Sequence, residues 1–125
     1  MSLDVYLEGP EEQVACRCPD CEHEHTRPSR PCFFSANITH NLTGMADAAG
    51  LYRALWRPAE LGVTTAGQLA PLIADGLTTL KADPTRFTTM NPPNGWGTHE
   101  GLVRFAEEYL AACREYPTAL VRVWR

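Results

Sequence analysis

The chain has 125 residues, of which 44% are hydrophobic and 21% are charged, and its formal net charge is −4. Such a chain is typical of one soluble globular domain that buries about two-thirds of its unfolded surface. The acidic balance argues against a nucleic-acid partner, because broad contact with a phosphate backbone needs a basic surface. No apolar run approaches the roughly 18 residues that span a bilayer, which argues against a membrane partner.

The N-terminal sequence and the cysteines indicate a reducing compartment. The stretch MSLDVYLEG has neither the basic start nor the apolar run of a secretory leader, and the cysteine count of five is odd. We therefore expect a cytoplasmic protein, in which clustered cysteines hold a metal ion rather than form disulfides. A disulfide remains the alternative.

The first predicted element is a β-strand. Residues 3–8 alternate apolar and polar side chains, which is the period of a half-buried strand, and Gly9-Pro10 ends it. Residues 14–18 and 32–36 are further extended candidates, and we expect them to pair as a hairpin around a cysteine-rich loop. That loop contains two prolines that hinder pairing, so we expect a bound ion to supply its ordering energy.

The cysteine-rich stretch, residues 16–32, holds four of the five cysteines and two of the four histidines. Its centre reads CPDC, a knuckle that directs two thiolates at one ion, and structural zinc takes four sulfur or nitrogen ligands tetrahedrally. The expected zinc ligands are Cys18, Cys21, His25 and Cys32, with Cys16 and His23 as alternates. We place Cys16 second because it lies only two residues before Cys18, where the period of a strand would crowd the two side chains.

Helices are predicted after this stretch. The first follows an apolar stripe from Ile38 to Trp56, can be capped by Asn37 or Thr39, and is weakened or divided at Gly50. The prediction is therefore a helix that begins directly after the third extended segment.

Two further helices have clear start signals. Thr65 and Gln68 form a capping box that opens a second helix, whose apolar side extends to Leu80. Thr98 caps a third helix, which Pro117 ends.

Residues 120–125 form a terminal strand that can pair with the first strand. The predicted fold class is α+β: a small antiparallel sheet, made of the paired N- and C-terminal strands plus a zinc-clamped hairpin, packed against about three helices. We expect a single domain over residues 1–125. Within it, residues 10–36 are an inserted zinc-knuckle hairpin, residues 37–117 the helical part and residues 119–125 the terminal strand.

Three polar clusters that include aromatic residues lie at predicted element ends, at residues 37–41, 56–60 and 94–100. Loops and backbone N–H groups converge at such ends, which is typical of binding sites, and two of the ends are helix N-termini that favour phosphate. The candidate ligand-binding residues are Asn37, His40, Asn41, Arg57, Asn94 and Trp96.

Each candidate has a structural alternative. His40 can simply hydrogen-bond a carbonyl, and it can also act as a general base or ligate zinc. Trp56 lies on the apolar stripe, so core packing is favoured over ligand stacking, and Arg57 can stabilise the end of its helix. Trp96 stands between two glycines and is the better candidate for lining a pocket, whereas Cys113 is expected to be buried and inert.

Four motifs resemble a family of small proteins that occur in phage, prophage and bacterial genomes: MSLDVYL at the start, NITHNL at 37–42, LWRP at 55–58 and NPPNGWGTHEGL at 91–102. The resemblance covers nearly the whole chain outside residues 10–32. No activity is established for that family, so the resemblance implies a setting, the host cytoplasm if the gene belongs to a phage. It also implies that the cysteine-rich stretch is a local staple and that a shared function lies in the polar clusters.

Three functions compete on this basis. The favoured one is a non-enzymatic binding protein for a small ligand, for which a phosphate group would suit the helix N-termini and Arg57. The second is a small hydrolase or transferase with His40 as general base, assisted by His99 or Glu100. The third is a protein–protein interaction module that docks a host protein. A pocket that unites the clusters supports the first two, and a flat apolar patch supports the third.

Overall fold

A computed structural model describes residues 1–17 and 24–125 of the chain and confirms the predicted α+β class. Five strands are present in the described part: β1 Ser2–Glu8, β2 Glu12–Arg17, β3 Glu24–Ser29, β4 Cys32–Thr39 and β5 Leu120–Trp124. They form a three-stranded antiparallel sheet in the order β4-β1-β5 and a separate two-stranded sheet of β2 and β3.

The N- and C-terminal strands are neighbours, as predicted. Asp4 of β1 is opposite Trp124 of β5, and Glu8 is opposite Leu120. The predicted alternation in β1 is also present, because Leu3, Val5 and Leu7 are fully buried whereas the residues between them are only partly buried. One face of the sheet therefore packs on the core, and the other face is open.

The predicted pairing of residues 14–18 with residues 32–36 is wrong. β2 pairs instead with β3, and β4 pairs with β1 from Ser2↔Thr39 to Glu8↔Cys32. The error came from Pro28, which was expected to keep its segment out of a strand. Pro28 lies in β3 opposite Gln13, and a two-stranded sheet tolerates a missing N–H because both of its strands are edges.

The helical part begins with a short 3₁₀ turn, His40–Leu42, and continues through five α-helices. Their bounds are α1 Thr43–Ala48, α2 Tyr52–Trp56, α3 Ala66–Ala82, α4 Pro84–Thr88 and α5 His99–Glu115, with a second 3₁₀ turn at Pro58–Leu61. The helix predicted from Ile38 to Trp56 starts too early, because Ile38 lies in β4 opposite Leu3, and it is divided at Gly50, which has a φ of +76°. A left-handed residue of this kind ends a helix at little steric cost only when it is glycine.

The predicted start signals of the long helices are correct. The Thr65 side chain accepts a hydrogen bond at the start of α3 and Gln68 reaches back to the cap, while the Thr98 hydroxyl accepts a hydrogen bond from the Gly101 N–H at the start of α5. Helices α3 and α5 pack on each other, and α5 also contacts β4. None of the described helices is long and apolar enough to cross a membrane.

Candidate ligand-binding pocket

A pocket of about 500 Å³ lies where β1 and β4 meet the loop that precedes α5. Its lining residues come from three parts of the chain: Met1, Ser2, Asn37, Thr39, Asn41, Asn94 and Trp96. Four of the six predicted ligand-binding residues are therefore in one place, and two of the three predicted clusters meet there. More than fifty positions of sequence separate Asn41 from Asn94, so the fold brings them together.

The strand side of the pocket is ordered by side-chain amides. The Asn37 Nδ2 group donates to Ser2 Oγ at 2.8 Å and to Asp4 Oδ1 at 2.7 Å, which ties β4 to β1. Thr39 Oγ1 accepts from the backbone N–H of Asn41 at 3.2 Å and from its Nδ2 at 3.0 Å. Both Asn37 and Asn41 have exposed side chains, so their amide oxygens can meet a ligand.

The opposite wall is a loop, residues 91–98, whose shape its own residues determine. Asn94 Oδ1 accepts from the Trp96 N–H at 2.9 Å, and Gly95 and Gly97 have φ values of +76° and +110°. A Cβ atom on Gly97 would lie 2.8 Å from Thr39 Cγ2, so only glycine lets this loop approach the end of β4 so closely.

Trp96 projects from this loop with 69% of its surface exposed. A large aromatic side chain in that state has an apolar face without a partner in the described part of the chain, and its ring can stack on a flat ligand. Trp96 is one of the residues that line this pocket.

His40 and Arg57 do not line the pocket. The ring of His40 lies edge-on to the ring of Trp56, with centroids 6.3 Å apart, and its Nε2 atom is buried without a hydrogen-bond partner among the described residues. Trp56 is itself 2% exposed, as its apolar stripe predicted. His40 is thus part of the packing between the 3₁₀ turn and α2.

Arg57 serves its own helix end. Its Nε group donates to the Tyr52 hydroxyl at 3.2 Å and lies 3.6 Å from the Glu60 carboxylate. The hydrogen bond to Tyr52 raises the pKa of Arg57, so the guanidinium keeps its charge. With Arg57 elsewhere, the seven lining residues include no arginine, lysine or histidine that would balance a phosphate.

The residues proposed to assist a general base, His99 and Glu100, make contacts with residues other than His40. His99 Nε2 lies 2.8 Å from the Leu80 carbonyl oxygen, and the ring stacks on Phe87 with centroids 5.9 Å apart. Its backbone N–H donates to Asn91 Oδ1 at 2.8 Å. Glu100 is paired with Arg104 at 3.7 Å on the exposed side of α5. These contacts join α3, α4 and α5 to the pocket loop rather than build a catalytic pair.

The predicted zinc ligands fall in different places. Cys18, Cys21 and the alternate His23 lie outside the described residues, whereas the backbones of Cys16 and His25 are direct register partners in the β2–β3 sheet. Cys32 is exposed at the start of β4, and its thiol donates to the Phe34 carbonyl oxygen at 3.3 Å. Among the side chains that the structure describes, which leave out those of Cys16, Glu24 and His25, no three histidines, cysteines or acidic residues form a group that could hold a metal ion.

Sequence reasoning missed three lining residues, Met1, Ser2 and Thr39. Thr39 was assigned only a capping role, although it lies inside the first polar cluster. Ser2 could be placed at the site only from the pairing of β1 with β4, in which it lies opposite Thr39, and the incorrect hairpin prediction gave β4 a different partner.

No protein-family model, no curated protein and no solved structure matches this chain.

Proposed function

We propose that the chain is a non-enzymatic binding protein whose pocket takes a small polar ligand with a flat face. The observation that carries this proposal is the convergence of three asparagine side chains and one exposed tryptophan on a single pocket of about 500 Å³. Pockets of this size hold small molecules, and a few well-placed polar groups set the orientation of the ligand.

The chemistry of the lining indicates what the ligand presents. Asn37 offers its amide oxygen, since its Nδ2 group already donates to Ser2 and Asp4, whereas Asn41 and Asn94 keep both a donor and an acceptor for hydroxyl or amide groups on a ligand edge. Trp96 offers a face for a ring. The lining side chains include no guanidinium, ammonium or imidazolium group to balance the charge of a phosphate, so its oxygens would accept mainly from amide N–H groups.

The binding proposal is tested with one pair of variants. Protein purified without added ligand is examined by native mass spectrometry, and a panel of nucleosides, nucleotides and neutral sugars is screened by calorimetry. Trp96→Ala removes an exposed side chain and should abolish binding of any hit without loss of stability. Arg57→Ala is the control and should leave binding unchanged. Equal binding by wild type and Trp96→Ala would overturn the proposal.

We also propose that residues 16–25 carry a structural zinc ion. The CPDC knuckle supports this proposal. The strand register supports it too, because Cys16 lies opposite His25 at the end of β2 and β3 that is nearest to the CPDC segment. In this role the metal orders a hairpin and takes no part in ligand binding.

A further inference from the structure

The open face of the three-stranded sheet continues directly from the pocket. Asn37, Asp4 and Trp124 occupy one row across β4, β1 and β5, since Asp4 is the register partner of both other residues. The 2.7 Å hydrogen bond between Asn37 and Asp4 places these two side chains together on the open face. Trp124 ends the row with 64% of its surface exposed.

A second row lies beside the first one. Tyr6 is the register partner of Ser35 on one side and of Arg122 on the other. The Arg122 guanidinium lies 5.6 Å from the centroid of the Tyr6 ring, and its Nη1 donates to Glu8 Oε1 at 3.0 Å. The one cation of these two rows is therefore already paired with a carboxylate.

From this arrangement we infer that the pocket is one end of a longer site that binds a neutral oligosaccharide from Trp96 across the sheet to Trp124. The inference rests on the proposed function, because it uses the same pocket and extends it. Two exposed tryptophans offer faces for the apolar sides of sugar rings. Between them, the amide oxygen of Asn37 and the carboxylate of Asp4 offer neighbouring acceptors to which sugar hydroxyl groups can donate, since the Asn37 Nδ2 group already donates to Ser2 and Asp4.

The dimensions favour a chain of rings over a single ring. Neighbouring strands are about 4.8 Å apart, so the row from Asn37 to Trp124 covers roughly 10 Å before the pocket itself is added. One monosaccharide cannot contact both tryptophans over that length, whereas a short oligosaccharide can.

The charge distribution separates this ligand from single-stranded nucleic acid, which also stacks on aromatic side chains. Sites for single strands combine stacking with a positively charged groove. Here Asp4 lies in the middle of the row, Arg122 is paired with Glu8, and the chain carries a net charge of −4. The Asp4 carboxylate would repel a phosphate backbone, whereas a hydroxyl group of a neutral sugar can donate a hydrogen bond to it.

The test titrates the full chain with cello-, chito- and malto-oligosaccharides, from monosaccharide to hexasaccharide, by calorimetry and amide NMR. We expect affinity to rise with length and then level off once both tryptophans are covered. Trp124→Ala should lower the affinity for the longest bound sugar about tenfold, the loss of a stacking contact of about 1.4 kcal/mol. It should leave the monosaccharide affinity unchanged, and Trp124→Phe should restore most of the loss.

The outcomes are distinguishable. Leu61→Ala, which truncates an exposed apolar side chain outside both rows, is the control and should change nothing. If a small ligand binds and depends on Trp96 but Trp124→Ala has no effect at any length, the extended site is refuted and the pocket remains. Binding of none of the sugars, or tighter binding of oligodeoxythymidylate, also refutes the inference. If Trp96→Ala has no effect on any bound ligand, the proposed function fails with it.

Discussion

The carboxamide of Asn37 donates to the carboxylate of Asp4 at 2.7 Å, across the two strands that form the edge of the pocket. The same amide group reaches Ser2 at 2.8 Å, so one side chain bridges the pocket and the open face of the sheet. The amide N–H of Asn37 donates a hydrogen bond to the Asp4 carboxylate, whereas a second ionised carboxylate at this position would have no proton to donate.

The first prediction concerns that contact. Asn37→Asp would set two carboxylates side by side, raise the pKa of the pair, and destabilise the fold at neutral pH by about 1 kcal/mol. Because the folded-state pKa is raised, the lost stability should return as the pH falls below that pKa. Urea unfolding at several pH values measures this effect. Asn41→Asp, whose amide contacts Thr39, is the matched control, and the same pH dependence in both variants would contradict the prediction.

The second prediction compares two glycines of the pocket loop. Gly95 and Gly97 both have positive φ, so alanine strains either position by about 1 kcal/mol. Only at Gly97 would the new Cβ also meet Thr39 and Leu42, whereas nothing lies within 4 Å of it at Gly95. We expect Gly97→Ala to be less stable than Gly95→Ala by about 1–2 kcal/mol and to shift the amide NMR signals of Thr39 and Leu42. Equal effects of the two substitutions would show that the loop does not pack there.

The third prediction compares two helical glycines. Gly76 is buried in α3, and a Cβ on it would overlap the Leu51 side chain, whereas a Cβ on Gly44 in α1 would meet nothing within 4 Å. Gly76→Ala should destabilise the protein by about 1–3 kcal/mol through overpacking. Gly44→Ala should stabilise it by about 0.5–1 kcal/mol, because alanine favours the helix. Chemical denaturation measures both, and a stabilising Gly76→Ala would contradict the described contact between α3 and the residue that precedes α2.

The fourth prediction uses the buried thiol of α5. Burial raises the pKa of Cys113 from 9.0 to about 12, so the folded state keeps its proton where the unfolded state loses it. Stability should therefore fall as the pH rises above 9, by about 1.4 kcal/mol per pH unit at most from this one group. Cys113→Ala should flatten the decline in unfolding free energy between pH 9 and pH 10. Cys32→Ala, at an exposed position, should leave the decline as it is in the wild type.

The fifth prediction concerns which cysteines hold zinc. The CPDC segment precedes β3, whereas Cys32 follows it. The six residues of β3 extend about 17 Å and therefore separate Cys32 from the CPDC segment. Cys16 pairs with His25 at the near end. We expect Cys18→Ser and Cys16→Ser to lose the metal and Cys32→Ser to retain one zinc per chain in native mass spectrometry. Loss of zinc from Cys32→Ser with retention in Cys16→Ser would restore the ligand set that the sequence first suggested.

Local signals predicted most of the secondary structure. Thr65 with Gln68, Thr98 and Gly50 act within their own turns, so their effects on the helices could be read without knowledge of the fold. The alternation in β1 worked for the same reason, since strand periodicity is a property of neighbouring residues. The pairing partner of β4 depends on which strands share the core, and no local pattern reports this. Pro28 is treated as a strand breaker in the prediction, so residues 14–18 are paired with β4 instead of with β3.

The candidate site shows the same division. Asn37, Asn41, Asn94 and Trp96 were selected because they end elements, and elements that end on the same side of the sheet meet there. His40 and Arg57 were selected by the same rule but point elsewhere, His40 to Trp56 and Arg57 to Tyr52. Side-chain direction at a helix end depends on packing, which no local pattern reports.

The antiparallel alignment of β1 with β5 also determines how the sheet responds to force. Asp4 lies opposite Trp124 near one end of the pair, and the contact between Glu8 and Arg122 joins residues 114 positions apart. A load applied through Met1 and Arg125 would open this pair from the Asp4 end, one hydrogen bond after another, instead of shearing the whole ladder at once. In an optical trap the terminal strand should therefore peel away at low tension, and Trp124 would be the first aromatic residue to leave the sheet.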